Sequence, residues 1–294
     1  MKKRIRHGTY MMLPAMIFAI AMIVVPLVYV CVLSLHKWNG SIKVPMEFVG
    51  LQNFIKLPTI VGFGDMIKFT FIFAFSVTIL TVLIALVIAF ALDKPAYRCH
   101  VNRSLLRACW YIPALFGAVA VGVVWRIMYN YNNGVINSIL TMLGLPKVNW
   151  LETRGVTGVA VIIAQVWVQM GMCIIIFLAG LQSVPHELYE AATIDGASRW
   201  QQRVKIAIPM LAPSITINFI TTSIAAFKCY ELPYTISKGL PGYSTHLVTQ
   251  MIQEYAFEGL NYGVSSALSV LLIVIITIIQ LIQLVVLRRR EDVY

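Results

Sequence analysis

Residues 264–287 read VSSALSVLLIVIITIIQLIQLVVL, a run without one ionisable side chain. About 20 mainly apolar residues are enough to cross the hydrocarbon core of a bilayer as a helix. In lipid, every backbone N–H and C=O must be paired inside the protein, so a helix is the form open to a single segment. The feature recurs. Six spans are predicted: Tyr10–Leu35, Ile67–Leu92, Leu105–Met128, Val156–Leu181, Ile215–Tyr234 and Val264–Leu287. The fifth carries Asn218, Lys228 and Glu231 and is the least apolar. Only 12% of residues are charged and mean hydropathy is +0.81, against about 25% charged in soluble domains. The expected fold class is all-α: a polytopic membrane protein with six transmembrane helices and a single domain over 1–294.

The net charge is +11. In a soluble chain this would point to nucleic acid; in a membrane protein what counts is where lysine and arginine sit. With the N-terminus inside, the inner segments hold Lys2, Lys3, Arg4, Arg6, Lys94, Arg98, Arg103, Arg107, Arg199, Arg203, Lys205, Arg288, Arg289 and Arg290. The outer loops hold Lys37, Lys43, Lys56, Lys68, Lys147, Arg154 and Lys238, half as many over more residues. Both termini are therefore expected in the cytoplasm. Ala19-Ile20-Ala21 has the form of a signal-peptidase site, but the apolar run continues beyond the roughly 7–15 residues of a signal core. An uncleaved first span is expected.

Chemistry-bearing patterns are sparse. Cys31, Cys99, Cys109, Cys173 and Cys229 form no C-x-x-C pair, and His7, His36, His100, His186 and His246 are scattered. No metal site is expected. There is no G-x-x-x-x-G-K-[ST] phosphate loop and no spacing that gathers a nucleophile, base and acid. No internal repeat is visible. The segment GVINSILTMLGL (134–145) places Ile136, Ile139, Leu140 and Leu143 on one helical face, as suits a helix lying at the outer membrane surface.

The polar stretch between spans four and five, ELYEAATIDGASRWQQRVKIAIP (187–209), stands apart. Val184-Pro185-His186-Glu187 is a helix start, with Glu187 and Glu190 at its positive end. Leu188, Ala191 and Ala192 share a face. Asp195-Gly196 is a stop signal, and Ser198 with Gln201 forms a capping box for a second helix. That helix puts Trp200, Val204, Ala207 and Ile208 on one face, with Pro209 and Pro213 as punctuation. The predicted unit, 185–212, is a rigid helix–turn–helix whose alanines let a partner approach closely. A loop tied to two spans has poor freedom to enter a DNA groove, which leaves a solvated hairpin at the membrane surface or a docking surface for a cytoplasmic protein.

Glu190-Ala191-Ala192, three residues, Gly196, nine residues, then Ile206-Ala207-Ile208-Pro209 resembles the EAA loop of ABC importer membrane subunits, with Ile208 in place of the usual leucine and Val204 where phenylalanine is frequent. HKWNG (36–40), EFVGLQNF (47–54), GVIN…GL…NWL (134–151) and EYAFEGLNYGVSSALSVLL (254–272) resemble the carbohydrate-uptake branch, in particular the first of its two unlike permease subunits. Gly239-Leu240-Pro241-Gly242 departs from that branch's Gly-Gly-Pro turn. The resemblance implies a type I ABC importer permease in the bacterial or archaeal cytoplasmic membrane, itself not an enzyme. Its implied partners are a second permease subunit, two cytoplasmic ATPase subunits that bind the ATP and Mg, an extracytoplasmic solute-binding protein, membrane lipid, and a sugar or oligosaccharide, with no nucleic acid. Glu187, Glu190, Ala191, Ala192, Asp195 and Gly196 would contact the ATPase.

Polar groups inside spans tend to face the protein interior. Gln165 and Gln169 lie one turn apart, and Asn218, Thr222, Ala226 and Cys229 share a face of the fifth span. These candidates suit sugar hydroxyls in a substrate pathway, and equally close helix packing. Lys228 and Glu231 are spaced to pair. The rival function is an ion-coupled transporter or channel, which needs an intramembrane ionisable site.

Overall fold

The computed structural model describes residues 12–93 and 103–291. Of the features expected above, Tyr10, Lys2, Lys3, Arg4, Arg6, Lys94, Arg98, His7, His100 and Cys99 lie outside these.

The described chain is helical apart from one two-residue antiparallel pair, β1 (His36–Lys37) with β2 (Glu47–Phe48), which an all-α expectation omits. In chain order the helices are α1 (Met12–Ser34), α2 (Gln52–Lys56), α3 (Phe63–Leu92), α4 (Arg103–Leu115), α5 (Ala118–Met128), α6 (Val135–Met142) and α7 (Val156–Gln182). They continue as α8 (His186–Ile194), α9 (Arg199–Met210), α10 (Ala212–Phe227), α11 (Glu231–Ser237), α12 (Val248–Gln253) and α13 (Tyr262–Glu291). Four helices are long and apolar enough to cross a membrane unbroken: α1, α3, α7 and α13 over Tyr262–Leu287. The count reaches six if the bent pairs α4–α5 and α9–α10 are each one span.

Two spans differ from expectation. The third is not continuous: α4 and α5 meet at 104°. Pro113 inside α4 removes a backbone donor, and Gly117 adopts an extended conformation (ψ 138°) just before α5. The fifth ends at Phe227, and a new helix begins at Glu231. Lys228 and Glu231 therefore flank a break rather than sharing one helical face. The acid–base contacts among the described residues are Arg154–Asp65 and His186–Glu190, so the expected Lys228–Glu231 pair does not form.

Backbone proximity divides the described residues into two units. The first joins Met1–Phe63 with Val248–Ile275. Asn53 Nδ2 donates to the carbonyls of Ser34 and His36, both at 2.9 Å, and the Tyr262 N–H donates to Trp38 O at 3.0 Å. The Trp38 and Tyr262 rings lie 5.5 Å apart. Gly40, at φ +82°, has the Tyr262 ring where a Cβ would stand. HKWNG, VGLQNF and GLNYG are thus one assembly.

The second unit, Gly64–Leu247 with Ile276–Tyr294, holds the loop of interest. Along α3 the buried residues Phe73, Val77, Val82, Ala85 and Ala89 recur every three to five positions, while Ile79, Leu83 and Val87 are exposed. This is the stripe of a helix with one face on protein and one on lipid. α7 is buried over more of its surface, and its small residues admit close neighbours. Gly171 packs against the backbone of Trp110 and Tyr111 on α4. A core of Val82, Ala85, Ala89, Cys173, Ile174, Phe177, Leu181, Ala207 and Leu211 joins α3 and α7 to the elbow between α9 and α10.

At the other end of α7, the short helix α6 is tied down by a buried amide. Asn137 Nδ2 donates to the carbonyls of Val148 (2.9 Å) and Tyr131 (3.2 Å). Its Oδ1 accepts from the Val148 N–H (3.0 Å) and Trp150 Nε1 (3.1 Å). Ile139 and Leu143 of the expected membrane-facing stripe are exposed. Replacing Asn137 by alanine strands these groups at a site 1% exposed. A loss of about 2–3 kcal/mol is expected, read as faster hydrogen exchange at residues 147–150 and a lower unfolding temperature.

Candidate functional site: a doubly capped loop between two spans

The loop after α7 begins at Pro185, which is the N-cap (ψ 132°) rather than a residue of the first turn. α8 ends in a Schellman turn: the Ala197 N–H donates to Ala192 O at 2.8 Å and the Gly196 N–H to Thr193 O at 3.1 Å. This geometry needs a left-handed residue, and Gly196 supplies it at φ +80°. α9 starts at once with the expected capping box. The Gln201 N–H donates to Ser198 Oγ at 3.3 Å and the Ser198 N–H to Gln201 Oε1 at 2.7 Å. Ser198→Ala should cost about 1 kcal/mol of local helix stability, visible as increased amide exchange at residues 199–202 with the spans unchanged.

The two helices are also pinned across the turn. Gln202 Nε2 donates to Thr193 Oγ1 at 3.0 Å, and Thr193 Oγ1 donates to Tyr189 O at 2.7 Å. Arg203 ties α9 to the end of α3: its Nη2 donates to Phe90 O at 3.4 Å and its guanidinium lies 5.5 Å from the Phe90 ring centre. Leu211, fully buried, fills the elbow where α9 turns by 64° into α10. A cavity of about 480 Å³ lies behind the loop, between Phe90 and Asp93 on one side and Tyr189, Arg199 and Gln202 on the other. Burial, then the Asp93 carboxylate, push the Tyr189 phenol up.

The outward surface carries the sequence candidates. Glu187, Glu190, Ala191, Asp195 and Gly196 are exposed and Ala192 is half-buried. Glu190 Oε1 lies 3.2 Å from His186 Nδ1, both side chains mostly in solvent. Around them stand exposed apolar side chains: Leu188 at 42%, Ile194 at 88% and Trp200 at 71%. The spacing of Leu188, Ala191 and Ala192 leaves out Ile194, although it follows Ala191 by one helical step of three. Of the second expected face, Trp200 and Val204 are exposed while Ala207 is buried, so α9 is free at its start and rooted at its end.

Several of the intramembrane candidates meet where α7 packs against α10 and the break that follows it, with Cys229 in the break rather than on the expected helix face. Cys229 Sγ donates to Gln165 Oε1 at 3.1 Å, Cys173 Sγ lies 3.3 Å from Thr222 Oγ1, and Asn218 Nδ2 donates to Cys173 O at 3.3 Å. Gln165, Asn218, Thr222 and Ala226 are buried. The side-chain oxygens of Gln169 and Asn218 are buried without a hydrogen-bond partner. Gln280 and Gln283 on α13, both outside the sequence candidates, donate to Ser223 Oγ at 3.2 and 3.3 Å.

These features define a polytopic helical membrane protein that presents one stiffened loop between two of its crossings. Its fold is that of a bacterial ABC transporter involved in the import of the acidic polysaccharide alginate, at TM-score 0.80 over 98% of this chain and 96% of that one, with 22% identity. The type I importer architecture expected from the EAA pattern is the one found. Residues 63–292 match the family described as binding-protein-dependent transport system inner membrane component, and the chain belongs to it. It is a transport component and not a catalyst. It is 32% identical to the trehalose/maltose transport system permease protein MalF of Thermococcus litoralis, over 90% of this chain and 88% of that protein. It is 30% identical to the diacetylchitobiose uptake system permease protein NgcF of Streptomyces coelicolor, over 88% and 75%.

Proposed function

We propose that this subunit imports a sugar or oligosaccharide, and that residues 185–212 couple it to a separate ATPase. The observation that carries the coupling is the loop itself. It is capped at both ends of its turn, cross-braced by Gln202 and rooted through Arg203 and Leu211, so a push on its surface reaches α3, α7 and α10 without first deforming the loop. Glu190, Ala191, Ala192, Asp195 and Gly196 form the contact and turn, with Glu187 beside them. Ile194 and Trp200 add apolar area that a docked partner would cover. The working assembly holds a second, different permease chain, two ATPase subunits and a solute-binding protein outside. Both termini lie on the cytoplasmic side.

The carbohydrate assignment is supported by the activities of the relatives and by the polar spots inside the spans. Gln165, Gln169, Asn218, Thr222, Ala226 and Cys229 are proposed to border the pathway. The partnerless oxygens of Gln169 and Asn218 are acceptors that a hydroxyl-rich cargo would satisfy on passing. Reconstitution with both permeases, the ATPase and the binding protein tests the whole reading. A cognate sugar should stimulate ATP hydrolysis and drive uptake that stops without ATP. Uptake that persists without an ATPase would instead identify an ion-coupled carrier.

A further inference from the structure

α7 runs between two functional ends. Its 27 residues separate them by about 40 Å at 1.5 Å per residue. Beside its first turn, opposite the coupling loop, is a cavity of about 280 Å³ among Tyr129, Asn130, Tyr131, Asn132, Asn149 and Glu152. This is close to the lower bound of about 300 Å³ for small-molecule sites, the scale of one sugar ring.

The walls are fixed before any ligand arrives. Tyr129, 1% exposed, donates its hydroxyl to Ala160 O at 2.9 Å. Trp125 and Trp150 lie against it at 5.3 and 5.5 Å between ring centres. Asn130 Oδ1 accepts the N–H groups of Asn132 (3.0 Å) and Asn133 (3.1 Å), which holds the turn. Asn137 anchors the strand of loop that carries Asn149 and Trp150. Asn149 Nδ2 donates to Glu152 Oε2 at 3.0 Å and so orients the carboxylate.

What the walls leave uncommitted describes the ligand. The Asn132 side-chain amide makes no hydrogen bond among the described residues, and Asn149 Oδ1 and Glu152 Oε1 are likewise free to accept. An amide, a second amide oxygen and a carboxylate oxygen around one small space suit a ligand that both donates and accepts through several hydroxyls. An anion is opposed by Glu152. The Lys147 ammonium lies outside the lining, 5.8 Å from the centre of the Tyr131 ring, and offsets the Glu152 charge for a cation. An apolar ligand would strand the amides.

We propose that this cavity is a carbohydrate subsite at the mouth of the permease, taking one neutral sugar residue through Asn132, Asn149 and Glu152. It rests on the reading of the chain as a sugar permease and adds a binding station to it.

The full chain in lipid nanodiscs, without a binding protein, should be titrated with maltose, trehalose and diacetylchitobiose while tryptophan fluorescence is followed. Trp150 lies against Tyr129, a wall of the cavity, so at least one of these sugars should give a saturable change in the millimolar range. Asn132→Ala and Glu152→Ala, both at exposed positions, should each weaken that binding about tenfold, equivalent to about 1.4 kcal/mol, with helical content unchanged. Trp150→Phe should reduce the signal, with Trp125 on the other side of Tyr129 left as the remaining reporter. No saturable response to any of the three sugars, or an equal response in wild type and both variants, overturns the subsite. Uptake by the assembled transporter keeps the two ideas apart. Normal sugar uptake without binding here leaves the permease reading intact and removes the subsite alone, whereas an assembled transporter that imports no carbohydrate removes the reading beneath it.

Discussion

Glu190→Lys should lower uptake by the reconstituted transporter about 100-fold while the chain still inserts in the membrane. The side chain is 69% exposed, and its only acid–base contact among the described residues is the solvent-facing one with His186. Such pairs contribute little to folding, so the effect belongs to docking. Reversing a charge at a formed interface sets like charges together at a cost of several kcal/mol, and about 2.8 kcal/mol already accounts for two powers of ten. The decisive measurement combines binding-protein-stimulated ATP hydrolysis with co-purification of the ATPase. Loss of both, with normal insertion, is the expected pattern. Unchanged transport would mean that the outer surface of α8 is not gripped.

Gly171→Ala should destabilise the chain by about 2–3 kcal/mol, with no direct effect on the loop over residues 185–212. At this position an added Cβ would meet the Trp110 carbonyl oxygen and come within 3.1 Å of Tyr111 Cα. Both obstacles are backbone, so α4 itself must move, which is the costly form of overpacking. In detergent the unfolding temperature should fall by several degrees. Gly64→Ala is the contrast, since nothing lies within 4 Å of the carbon it adds. A matching fall in both variants would show that Gly171 is not a close crossing.

The parts of this architecture that were readable from the sequence are those set by local chemistry. α3 and α13 are visible as long apolar runs. Both ends of the turn between α8 and α9 are visible because a left-handed glycine and a Ser-x-x-Gln box specify backbone geometry within a few residues. The breaks in the third and fifth spans were not readable from hydropathy. Pro113 and Gly117 lower the average too little to split the apolar run, yet they interrupt the backbone. Lys228 to Tyr230 end a helix that composition would extend to Tyr234. Asn137 escaped for another reason: it sits among apolar neighbours on α6, and its partners at positions 148 and 150 come from a later loop. The meeting of Gln165 with Cys229 was not legible from periodicity, because Cys229 lies in the break past the end of α10 rather than on the helix face that carries Asn218, Thr222 and Ala226.

The 104° turn between α4 and α5 has a consequence for handling the molecule. A helix that stops leaves carbonyls and N–H groups without intrahelical partners, and hydrocarbon cannot hydrate them. Leu115 and Phe116, at this corner, are 66% and 59% uncovered in the isolated chain. The corner is suited to company and poorly suited to acyl chains. Produced alone, the polypeptide should be a fragile solute of its own bilayer, short-lived and prone to clump. Co-expression with the rest of its assembly should extend its lifetime more than any change of detergent.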